Sequence, residues 1–132
     1  MSAQKSSATR TVPKTGGTKP TRIRSEIDAG ICGFHTTVLA EAVSMREVHL
    51  DITSDCPAIR KAAEQLKEID MLEETKSGMG RGAVYEVLSG CARHVACPVG
   101  AGILKAAEAA SGLALPKDAT IRVSKETATE DE

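Results

Sequence analysis

The chain has 132 residues, with 17 basic and 18 acidic side chains and a formal net charge of −1. That length fits one domain with a single core, and the near-neutral balance gives no global electrostatic case for nucleic acid or an anionic surface. One Phe, one Tyr and no Trp leave the core to aliphatic residues and remove the platforms on which single-stranded nucleic acid stacks.

Residues 1–21 carry Lys5, Arg10, Lys14 and Lys19 among Ser, Thr, Gly and Pro, without an acid, and read as a disordered basic arm. No apolar run reaches membrane-spanning length and no secretory h-region opens the chain, so a cytoplasmic, reducing location is expected. Residues 22–124 then read as one α+β domain, and 125–132 as an acidic tail ending in Glu130, Asp131 and Glu132.

Within the domain, Ile23 and Ile27 in TRIRSEID suit a strand with a polar outer face. A loop follows in which Gly30 and Gly33 flank Cys32, giving the backbone turns closed to other residues and leaving space around the sulfur. Thr36–Val43 is β-branched and apolar, and Glu47–Thr53 alternates Val48, Leu50 and Ile52 against Glu47, His49 and Asp51. The pair reads as an antiparallel hairpin with one buried face, which makes His49 solvated surface rather than a ligand. Ser54 or Asp55 is the expected cap of a helix running through AIRKAAEQLKEID, whose stripe is Ile59, Ala62, Ala63, Leu66 and Ile69.

Residues 71–82 are polar and glycine-rich and read as a mobile connection. GMGRG lacks the Lys-Ser/Thr ending of a phosphate-cradling loop. Ala83–Ser89 is a short predicted helix stopping at Gly90. A second alanine-rich helix opens at Pro98, buries Ile103, Leu104, Ala107 and Ala110, and ends near Gly112. Ala119–Ser124 offers a final strand, TIRV. The fold expected is α+β: a small antiparallel sheet of three or four strands with two or three alanine-rich helices packed on one face.

The reactive residues gather around the helix starts. Cys56-Pro57 and Cys97-Pro98 each place a cysteine before a proline at the opening of a helix, where unpaired N–H groups and the dipole favour a negatively charged ligand. Cys91 and His94 lie close to Cys97. Four cysteines in a reducing compartment point to metal ligands or reactive thiols rather than disulfides, yet the spacings are not the tight pairs of zinc ribbons. A site from Cys32, Cys56 and Cys97 needs three distant segments at one end of the sheet, with Cys91 and His94 competing for a fourth position. Three chemistries use such a set: an iron–sulfur cluster, a closed zinc site in a structural or interaction module, or metal-free thiol exchange. Neither a nucleophile-elbow serine nor a paired-carboxylate motif is present, so an enzyme is the less expected class.

The layout resembles the iron–sulfur cluster assembly scaffolds of the NifU/IscU type over about Ile27–Gly112. Three phrases carry it: Cys32 in ICGF, Cys56 in SDCPAIRKAAEQL and Cys97 in HVACPVGAGILKAAEAA. The resemblance implies a cluster held by those three cysteines, and cluster donor or acceptor proteins as partners. It departs at Phe34, where the scaffolds carry an aspartate that helps release the cluster. ARHVA also replaces the chaperone-recognition motif, and the histidine stands three residues before Cys97 rather than next to it. The phrases GICGF, SDCP and ACPV also resemble a family of small prokaryotic proteins of uncharacterised function.

Overall fold

The computed structural model describes residues 22–127. The predicted basic arm and the last residues of the acidic tail lie outside the described residues. Four strands, β1 (Arg22–Asp28), β2 (His35–Ala42), β3 (Glu47–Ser54) and β4 (Glu68–Asp70), pair antiparallel in sequence order. The register runs Arg22 to Glu41 to His49 to Glu68 in one row across all four strands, and Asp28 faces His35 at the other end.

Strand alternation decides which face is covered. Ile27, Val38, Ala40, Val48 and Leu50 are buried on one side. Against them lie α1 (Pro57–Gln65), α3 (Ala83–Cys91) and α4 (Val99–Ala110). Helix α4 packs on β1 and β2, α1 packs on β3, and α3 touches both helices. Ala106, Ala107 and Ala110 are buried on α4, and Gly102 of that helix faces the Ile27 side chain, which a Cβ there would strike. Small residues thus let α4 approach the sheet closely. The opposite face of the sheet, with Arg24, Glu26, His49 and Asp51, is exposed. The α+β architecture is as expected, with four helices among the described residues.

Several local expectations are corrected. The first helix stops at Leu66 instead of running through Asp70, and Ile69 instead pairs with Val48 in β4. Four more helical residues gain only tenths of a kcal/mol each from propensity. Burying Ile69 and Met71, at 5% and 3% exposed, is worth about 1.5–3 kcal/mol apiece, so packing wins. The expected connection over 71–82 contains a further helix, α2 (Met71–Ser77), whose amide groups at Leu72 and Glu73 donate to the Asp70 carboxylate.

Helix α3 continues through Gly90 to Cys91. The glycine costs about 1 kcal/mol, offset by Cys91 packing against the core and by the Ala92 N–H bonding to the Leu88 carbonyl. TIRV forms no strand: Ile121 and Val123 are exposed, and the edge position beside β3 is occupied by β4. Among the described residues no helix is long and apolar enough to cross a membrane.

Candidate functional site

The β1–β2 turn, the β3–α1 junction and the α3–α4 connection meet at one end of the sheet around a cleft of about 340 Å³. Cys32, Cys56, Cys97 and His94 all line it, with Arg93 at its rim and Phe34, Ile59 and Val99 among its apolar walls. All four cysteines are free thiols.

Each segment has its own reason for presenting sulfur. The first is a tight turn in which the Gly33 N–H donates to the Gly30 carbonyl and the Ala29 N–H to the Phe34 carbonyl. Gly30 and Gly33 have φ of +97° and +74°, a region L side chains rarely enter, and Cys32 projects exposed between them.

In the second, Cys56 itself is the helix N-cap, with Pro57 in the first turn and no side-chain cap bond. The sequence points to Ser54 or Asp55 for that task, but both side chains are committed elsewhere. The Ser54 hydroxyl accepts from the Cys56 N–H at 3.0 Å and pairs with Thr36 at 2.7 Å. The Asp55 carboxylate accepts from the His35 N–H at 3.3 Å, and the Asp55 N–H returns a bond to the His35 carbonyl. These bonds tie the start of β2, just after the Cys32 turn, to the residues just before Cys56.

In the third, Pro98 is the N-cap of α4, also without a side-chain cap bond. The Cys97 N–H donates to the His94 carbonyl at 3.3 Å, curling the segment so that both residues reach the cleft. Two uncapped helix starts therefore border the same space, and their free N–H groups favour negative charge there.

The five sequence-derived candidates divide as follows. Cys32, Cys56, Cys97 and His94 share the cleft. Cys91 ends α3, packs against the core and is outside the residues that line the cleft. No three of the five bring donor atoms within 4.8 Å of one another among the described residues. Thr36 and Arg93 also border the cleft and escape sequence reasoning: Thr36 reads as an ordinary strand residue and Arg93 as surface charge. Ser54 and Asp55 do carry a signal, their position before Cys-Pro, though their task is to hold the junction.

Together these features define a small α+β domain with a thiol-lined cleft built from three loops. The chain belongs to a family of unknown function (DUF6951), whose family model matches residues 23–123. No curated protein and no solved structure matches it.

Proposed function

We propose that the chain is an iron–sulfur cluster binding protein, scaffold- or carrier-like, with the cluster held by Cys32, Cys56 and Cys97. The observation that carries this reading is the convergence of those thiols, with His94, on one cleft from three distant parts of the chain. Thiolates are the ordinary ligands of such clusters, and imidazole replaces some of them in known types.

A single tetrahedral ion is the less suited occupant of the described arrangement. Tetrahedral zinc with sulfur at about 2.3 Å requires its ligand atoms about 3.8 Å apart, whereas no three of these donors lie within 4.8 Å of one another. Phe34, Ile59 and Val99 give the cleft apolar walls beside the sulfurs, and each uncapped helix start offsets negative charge by about 0.3–1 kcal/mol. His94 is the better placed fourth ligand, since it lines the cleft and Cys91 does not. Ile31 and Val95 stand fully exposed beside Cys32 and His94, an apolar lip for a donor or acceptor protein.

Anaerobic purification, an absorption spectrum and assays of iron, sulfide and zinc test the proposal. The expected result is coloured protein with iron and sulfide in near-equal amounts, lost in Cys97→Ser and retained in Cys91→Ser. Stoichiometric zinc without sulfide overturns it in favour of a zinc module. Colourless, metal-free protein after reconstitution with iron and sulfide overturns it in favour of thiol exchange.

A further inference from the structure

At the other end of the sheet, on its open face, Glu47, His49 and Glu68 bring one donor atom each within 4.8 Å of one another. We propose that these three side chains form a second, surface site for a late first-row divalent ion such as zinc, separate from the cysteine cleft.

Backbone geometry fixes the donors. Glu47 and His49 are two apart on β3 and so share a face, and Glu68 is the cross-strand partner of His49 on β4. The His49 Nε2 lies 2.9 Å from Glu47 Oε2 and 3.3 Å from Glu68 Oε1. Zinc bound to nitrogen and oxygen at about 2.0–2.1 Å in a tetrahedron sets its ligand atoms about 3.3 Å apart. The side chains already stand near that spacing, on strands that need not move.

Charge points the same way. Two carboxylates share one imidazole nitrogen, which has at most one proton to offer. The nearby Arg46 is committed to Asp70, with Glu73 beyond it, and among the described residues no Lys or Arg pairs with Glu47 or Glu68. A dication at Nε2 replaces the proton there, leaves the ring proton on Nδ1 and neutralises both carboxylates. One imidazole with two carboxylates suits zinc, copper or nickel better than calcium or magnesium, which prefer oxygen alone. Three protein ligands leave a fourth position open.

The chain's three histidines, His35, His49 and His94, make a site-resolved test possible. Zinc is titrated into the full-length protein while the imidazole nitrogens are followed by NMR. The expected result is a shift of the His49 Nε2 resonance that saturates at micromolar zinc while His35 stays unmoved. Glu68→Gln is expected to weaken that saturation about tenfold or more, and His49→Gln to remove one bound equivalent while leaving any response of His94 in the cleft intact. A His49 resonance unmoved up to millimolar zinc overturns the proposal, as does equal zinc uptake by wild type and His49→Gln.

Discussion

His35 is held between two carboxylates of β1: its Nδ1 lies 2.7 Å from Asp28 and its Nε2 2.9 Å from Glu26. The bond to Asp28, then that to Glu26, raises its pKa above the ordinary 6.5. Glu26 in turn is lowered from 4.5, first by its bond to Arg24 and then by His35. The signs define a window. A raised histidine stabilises the fold fully below its unfolded value and loses that contribution as pH rises through its folded one. A lowered carboxylate contributes above its unfolded value and loses it as pH falls through its folded one. The clamp is therefore strongest between 4.5 and 6.5. Urea midpoints measured from about pH 8 down to about pH 6 are expected to rise in wild type and to rise less in His35→Gln. Because these groups are exposed, the difference should shrink in high salt. Identical pH profiles for the two proteins would remove the clamp from the account.

Helix α2 is tied to α3 by one buried side chain. The Glu74 carboxylate, 8% exposed, accepts from the backbone N–H of Ala83 at 2.7 Å and of Val84 at 3.3 Å, capping α3 from outside it. Glu74→Ala leaves both donors short of a partner and is expected to cost about 1–2 kcal/mol in urea unfolding. Glu74→Gln keeps a neutral acceptor and should cost less. Nothing in MLEETKS announces this, because the partner of Glu74 lies nine residues on and the helix hides only Met71 and Glu74. The alternation of Val48, Leu50 and Ile52 and the two Cys-Pro helix starts, by contrast, are local patterns and legible in the sequence. Ile69 misleads because its spacing from Ile59 and Leu66 fits a helical stripe, while its burial is decided by Val48 on another strand. The site divides along the same line. Which cysteines stand at turns and helix starts is written locally. That Cys91 turns to the core and His94 to the cleft depends on how far α3 runs past Gly90.

The cleft joins the β1–β2 turn, the β3–α1 junction and the α3–α4 connection, so a bound group bridges segments that are far apart in the unfolded chain. A cluster held there would bind the native state in preference to the unfolded chain, and would stabilise it by up to about 2.7 kcal/mol at a hundredfold excess over its dissociation constant. Protein reconstituted with iron and sulfide is therefore expected to melt above the same protein without them. Cys56→Ser should lose that increment while its metal-free melting temperature stays close to wild type. Equal melting temperatures with and without a retained cluster would separate binding from the fold. Thr36, at the cleft, and Glu41, in the row with His49, both belong to β2. Five residues of strand at about 3.3 Å each make the sheet a ruler of roughly 17 Å. An ion on the outer face would sit beyond the distance at which side-chain effects usually couple, so the two ends can be filled or emptied one at a time.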